Sequence, residues 1–486
     1  MILTIKNLGA LKEAEIDLSK DLILLCGHNN TGKTYVAYAI YYILDTSLRY
    51  PIGLASSTYF KDSNEVITND VIKKAAHELI EKRETNFNLM EIIDDKFLKL
   101  ASKISNQALN IMLEELQDFK TYFKNENMID VQTNLSQDKN GLLKNVFEYH
   151  VFKSPHHFVD GNNYLSYRKD KESFNITYFL EKIKSKLDEP KIEDISTTIY
   201  QHVLDEILLE HIAKTRFFSS ERAAINIFSK ELALNKNQFL DKIVKTKGQE
   251  RAKILEFADE NINRYVQPIA DELNIAEDLL HLQNGKSEFE FLAIELEKSI
   301  LEGKISVGQY GGLQYQPNFY DENGKDENPI LEIYQTSSLV KSLASLVFYL
   351  RHLAQKNDCI IIDEPELNLH PDNQILVARF LARLVNEGFK VVASTHSDYI
   401  TRELSTLLLL SNSFKQKDRI MEKYGYNQNQ ILKKENIGVY YFEKGKNTAV
   451  NVPITERGIE IESIDQVITD LNERFDTIYY TEDDDE

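Results

Sequence analysis

The stretch LILLCGHNNTGKTYVAYAI, residues 22–40, constrains this chain more than any other. Five apolar residues of strand character run into Gly27, and a segment with apolar residues at helical steps follows Lys33. Between them lies a complete Gly-x-x-x-x-Gly-Lys-Thr loop. Its glycines let backbone N–H groups close around phosphate oxygens, and the helix behind offers its positive end. Gly27, Asn29, Asn30, Thr31, Gly32, Lys33 and Thr34 are therefore expected to hold the phosphates of ATP. Lys33 would reach the β- and γ-phosphates, and Thr34 would ligate Mg²⁺. The next hundred residues contain no second phosphate motif.

The other half stands at CIIIDEPELNLHPDNQ, residues 359–374. An apolar strand delivers Asp363 and Glu364 at its C-terminal end, where ligands collect in α/β sheets. Asp363 is expected to hold Mg²⁺ through water, and Glu364 to polarise the water that attacks in an in-line displacement. An acidic pair alone often marks only a solvated turn; an apolar strand followed by Asp-Glu-Pro-Glu is more specific. The two halves can meet if the chain between them is an insertion at the sheet's edge. Just past the next strand, in VVASTHSDYI, His396 has the placing of a γ-phosphate switch histidine, although a lone His is usually a surface or satisfied core residue. Upstream, Ser337, Ser338 and Lys341 open a helix, where hydroxyls, N–H groups and the dipole favour an anion. The simpler reading of those serines is an N-cap.

Strands alternating with helices after Ser338 give the rhythm of a mainly parallel sheet. Five segments are expected. Residues 1–50 form the N-terminal lobe, with strands at 2–6, 13–18 and 22–26 and a turn at Gly9. Residues 51–209 read as a helical, bundle-like insertion, with one apolar face running from Phe97 through Ile104 and Ile111 to Phe119. Residues 210–299 return to the core with a strand, a loop and helices. Residues 300–415 carry antiparallel strands around an Asn323–Gly324 turn, then the helix of Ser338, the acidic strand and His396. Residues 416–486 hold a hairpin, a helix and an acidic tail.

Hydrophobic content of 42% and charged content of 28% are those of a soluble globular protein. No apolar run is long enough to span a bilayer and no signal peptide is evident, so a cytoplasmic protein without a membrane partner is expected. Cys26 and Cys359 sit in apolar strands and read as buried structural thiols. The net charge of −20 disfavours broad binding of a phosphate backbone but leaves room for a local basic groove. The acidic TEDDDE run is a solvating tail or a contact for a basic partner.

Together these four elements resemble the ABC-type ATPase heads of SMC proteins and the OLD-like, AAA15 class of ATPases. They cover roughly residues 1–50 and 300–415. The resemblance implies an α/β head, with a RecA-like parallel sheet plus an antiparallel β subdomain and a large helical insertion. It makes residues 27–34 the Walker A motif, 360–364 the Walker B motif, His396 the switch histidine and 337–341 the signature. The sequence SSLVK departs from the Leu-Ser-Gly-Gly-Gln of transporters and is closer to the Ser-Ser-x-Val-Lys of stand-alone bacterial ATPases. FFSSERAAINIF is similar to their Pro-Ala-Glu-Arg-Ser segment, with Glu221 and Arg222 as its charged pair and Ser-Ser in place of Pro-Ala. No Q-loop glutamine can be placed.

In this class the signature helix of one subunit caps the ATP of another, which implies head-to-tail dimers or larger homo-oligomers. Many relatives act in anti-phage defence, including Septu-, PARIS- and retron-type systems. They sense an invader and control a nuclease or toxin, and the resemblance implies a nucleic acid or phage-derived trigger for this chain. OLD nucleases carry a Toprim domain after the head, but no Gly-flanked Asp-x-Asp follows a strand here, so a nuclease or toxin is expected as a separate protein. Two other readings stand beside this one. The first is a nucleotide-clamped scaffold with little turnover that sequesters a toxin, which would not need Glu364. The second is a DNA-repair head, which usually carries long coiled-coil arms.

Overall fold

The computed structural model describes residues 1–45, 69–93, 97–99, 130–134, 151–158, 163–169, 172–182, 191–209, 214–246, 265–318 and 329–481. The chain opens with an antiparallel pair, β1 (Ile2–Leu8) and β2 (Leu11–Asp17), turning at Gly9 in the left-handed region. Then come β3 (Leu22–Gly27) and α1 (Lys33–Leu44).

The intervening segment holds α2 (Asp70–Lys82), β4 (Glu84–Asn88), β5 (Asp130–Asn134), β6 (Val151–Phe158), β7 (Asn163–Lys169), β8 (Asn175–Lys182) and α3 (Ile192–Leu209). A bundle of helices was expected here, and the described residues correct that. β4, β8, β7 and β6 form a four-stranded antiparallel sheet, and α2 packs with α3. The physical reason is a period of two. Ile176, Tyr178 and Leu180 alternate along β8, with Leu165 and Tyr167 on β7, and all are buried against Ile72 and Leu79 of α2 and Ile195 and Ile199 of α3. β5 instead joins the edge of the β1–β2 sheet. Of the expected apolar helical face, Phe97 is buried in this same core; the positions from 100 to 119 lie outside the described residues.

The chain returns through β9 (Thr215–Phe218), α4 (Arg222–Lys245), α5 (Gln267–Glu277) and α6 (Glu290–Leu296). β10 (Gly303–Val307), β11 (Leu313–Pro317) and β12 (Leu331–Glu332) make a small antiparallel sheet. Its β10–β11 turn runs through Gly311 and Gly312, both at positive φ, while Asn323–Gly324 lies outside the described residues. α7 (Ser338–His352), β13 (Cys359–Asp363), α8 (Pro371–Asn386), β14 (Lys390–Thr395) and α9 (Asp398–Leu409) follow the expected alternation. β15 (Ile437–Phe442), β16 (Ala449–Asn451) and α10 (Glu462–Thr481) complete the order; the acidic run beyond Thr481 lies outside the described residues.

The central sheet has the order β16–β15–β3–β14–β13–β9, parallel throughout except for β16. This is the expected α/β architecture with a mainly parallel sheet. β3 and β13 are buried along their whole length, because parallel strands are covered on both faces. Alternate residues feed two cores. Ile23, Leu25, Cys359, Ile361 and Val392 meet α1 and the β1–β2 sheet. Leu22, Leu24, Ile360, Ile362 and Val391 meet α7, α8 and α9. Both cysteines are buried free thiols, and burial pushes each up to about 12. No helix among the described residues is long and apolar enough to cross a membrane.

Candidate functional site

β3 and β13 lie one strand apart, with β14 between them, so their C-terminal ends face the same edge of the sheet. The loop 27–34 leaves β3 there. Gly27 sits at φ 134°, and a Cβ on it would come 2.4 Å from the carbonyl oxygen of Phe442 on β15. Gly32 caps α1 at φ 98° with no side-chain cap, and the first turn of α1 carries no carboxylate. The helix's own first turn therefore does nothing to offset its positive end. Asn29 and Asn30 are exposed on the loop, and Thr31 is buried with its hydroxyl donated to His28 O at 2.7 Å. Lys33 curls back to donate to Gly27 O at 3.0 Å and His28 O at 2.7 Å. Burial draws its pKa below the ordinary lysine value, opposed by Glu364, Asp363 and Glu366.

Asp363 ends β13. Thr34 Oγ1 donates to its Oδ2 at 3.0 Å, and Ser394 Oγ donates to its Oδ1. Burial raises the Asp363 carboxyl above the usual range, and these two hydroxyls pull the other way. One hydroxyl and one carboxylate at this spacing are hard oxygen donors that suit Mg²⁺. The donor set therefore fits the metal of a nucleotide complex, with Thr34 and Asp363 as the residues that would hold it.

Glu364 turns the chain out of β13 in the left-handed region, at φ 49°, which few non-glycine residues adopt. Two sets of contacts fix it. Its N–H donates to Ser394 O at 3.0 Å, and its carbonyl accepts from Arg222 Nη2 at 2.7 Å. Its carboxylate is partly exposed and lies 3.6 Å from Nδ1 of His396. Nδ1 is also 3.3 Å from Oε1 of Glu366, a buried carboxylate. Oε1 of Glu366 accepts from the His396 backbone N–H and from Thr395 Oγ1, both at 2.8 Å. Glu366 thus anchors the turn that presents His396.

Arg222, fully buried at the start of α4, ties these parts together. Its Nη1 donates to Asp363 O at 2.7 Å and to Ser219 O at 2.8 Å, and its Nε donates to Ser342 O on α7 at 3.0 Å. With Nη2 on Glu364 O, the guanidinium spans the turn after β13 and the first turns of α7. Asn226 adds a bond to Lys341 O at 2.8 Å. Ser337 is the N-cap of α7, accepting from Val340 N at 3.4 Å, as the simpler reading had it. Ser337 and Ser338 are exposed. The structure therefore brings Lys33, Thr34, Asp363, Glu364 and His396 to one edge. Ser337 caps α7 and the Lys341 carbonyl accepts from Asn226 on α4, and Arg222 links this helix to the turn at Glu364.

Ser394, Glu366 and the bridging role of Arg222 escaped the sequence reading. Glu366 was visible as the third acid of Asp-Glu-Pro-Glu, and Ser394 as the serine two positions before His396. What could not be read was that parallel pairing sets Ser394 opposite Asp363. Beside the loop, a cleft of about 650 Å³ is lined by His28, Asn30, His396, Tyr441 and Lys444. The β15–β16 hairpin therefore forms a wall of the candidate site.

The DNA repair protein RecN of Aquifex aeolicus (strain VF5) is 22% identical over 239 residues, covering 45% of this chain and 45% of RecN. The match thus spans less than half the length of that relative. The Smc head domain with an extended coiled coil, bound to the C-terminal domain of ScpA and derived from Pyrococcus furiosus, aligns over 97% of this chain and 98% of its own. The identity there is 12% and the TM-score 0.29. The Smc head bound to the C-winged helix domain of ScpA aligns over 83% and 91%, at 11% identity and a TM-score of 0.28. The AAA ATPase domain family, AAA_15, matches residues 1–401, and the chain belongs to that family.

Proposed function

We propose that this chain binds and hydrolyses ATP in an ABC-type site completed by a second copy, and that turnover gates an assembly. The observation that carries this reading is the meeting of loop 27–34 with the end of β13, seen in the Thr34–Asp363 bond. When bound, Mg·ATP supplies the phosphoanhydride and the metal charge that offsets the developing negative charge. Lys33 and the N–H groups of the loop hold the phosphates, and Thr34 and Asp363 orient the metal ligands. Glu364 accepts a proton from water at its free carboxylate oxygen. His396, steadied by Glu366, presents its ring beside that carboxylate.

The exposed Ser337 and Ser338 at the N-terminus of α7 suit capping of a nucleotide held by another subunit. Mixing Lys33→Ala subunits with Ser338→Arg subunits tests this, because one mixed site keeps both halves intact. Recovered turnover supports composite sites; no recovery in confirmed mixed oligomers contradicts them.

The assembly, in this reading, controls a separately encoded nuclease or toxin, in the manner of the anti-phage systems that the motifs resemble. The purified chain is then expected to hydrolyse ATP and leave DNA and RNA uncut in Mg²⁺ or Mn²⁺. Cleavage lost on mutating one of the chain's own carboxylates would overturn that role. The similarity to RecN favours a second reading, a DNA-repair ATPase. Turnover stimulated several-fold by DNA, without any protein partner, would select it.

A further inference from the structure

We propose that the apolar stripe of α10 is the docking surface for a basic amphipathic helix of another protein. Leu471, Phe475, Ile478 and Tyr479 are 63%, 66%, 68% and 58% exposed, and their spacing puts all four on one stripe of the helix. Single exposed apolar residues are ordinary, but a contiguous stripe within nine positions is not. The Phe475 and Tyr479 rings stack at 6.0 Å and 10°, which presents a preformed aromatic ridge.

Charge decides the occupant. Residues 462–486 contain ten carboxylates and a single cation, Arg474. A second copy of this helix, in either direction, would set carboxylates against carboxylates along the seam. An anionic membrane surface would meet the same repulsion. A helix with apolar seam residues and lysines or arginines on its flanks meets both features at once. The proposal deepens the partner reading above and rests on it for the use of the surface, while turnover reports separately on the nucleotide site.

The test uses the full chain and two fluorescent designed helices of about four heptads, each with Leu and Ile in the seam. One carries Lys on the flanking positions and the other Glu. The Lys helix is expected to bind at least about tenfold tighter, a difference of about 1.4 kcal/mol. That binding weakens with salt and is lost in both Phe475→Asp and Ile478→Asp, while oligomer size and ATP turnover stay unchanged. Equal binding of both peptides, binding of neither, or binding untouched by the two substitutions would overturn the proposal. A smaller oligomer for the variants in sedimentation would assign the face to a second copy. Loss of binding to phosphatidylserine vesicles in those variants would assign it to lipid. An inactive parent chain that still binds the Lys helix would refute the ATPase reading and leave the docking surface standing.

Discussion

Thr34 and Asp363 stand 329 positions apart and meet at 3.0 Å, hydroxyl to carboxylate. The sheet order explains how. β3 and β13 flank β14, and the segment between α1 and β9 builds its own core outside that sheet. Much of the long separation is thus chain that folds outside the central sheet and leaves the edge of the candidate site continuous.

Lys33→Ala removes the one ammonium that the loop holds against its own carbonyls. A charge-assisted phosphate contact is worth about 1.5–3 kcal/mol, so ATP affinity should fall roughly 10- to 100-fold. Calorimetry measures it, and equal affinities would remove Lys33 from the site.

Gly27→Ala places a Cβ 2.4 Å from Phe442 O at φ 134°. Strain and clash together should destabilise the fold by about 1–3 kcal/mol or more and weaken ATP binding with it. Gly445→Ala, also at positive φ but with open space around it, should show the smaller strain cost alone. Thermal unfolding of both proteins, compared side by side, separates clash from strain. Equal losses would mean that contact with β15 does not shape the loop.

Arg222→Met leaves the carbonyls of Ser219, Ser342, Asp363 and Glu364 without their shared buried donor. The expected loss is about 3–5 kcal/mol. Arg222→Lys keeps the charge without the fork, so it should recover part of the stability while turnover stays low. Urea unfolding read together with turnover checks this; full activity in Arg222→Lys would show that the turn at Glu364 holds without the guanidinium.

Glu272 is buried on α5, accepting the Ser219 N–H at 3.0 Å, and burial raises its pKa from 4.5 to about 7, against the pull of that N–H and of Arg222. Between those values the folded chain holds a proton that the unfolded chain has lost. Stability should therefore decline as pH rises from about 4.5, by about 3 kcal/mol once pH passes 7. Glu272→Gln should flatten that decline in urea titrations at pH 5 to 8. An unchanged slope would assign the dependence to other groups.

Much of this was legible because the signals are local. An apolar strand, a glycine-framed loop and a helix identify loop 27–34, and four apolar residues before Asp363 identify β13. The four-stranded sheet within the insertion was not legible because the alternation of Ile176, Tyr178 and Leu180 is short and set among polar residues. Ser394 and Arg222 act through pairings that only the folded sheet creates. Sequence spacing carries no record of either.

Glu364→Gln tests the central claim most directly, because it keeps the shape of the side chain and removes the charge beside His396. Nucleotide affinity and single-turnover hydrolysis are measured on the same preparation. The account predicts ATP affinity close to that of the parent and hydrolysis slowed roughly a hundredfold or more. Unchanged hydrolysis with intact binding would contradict it.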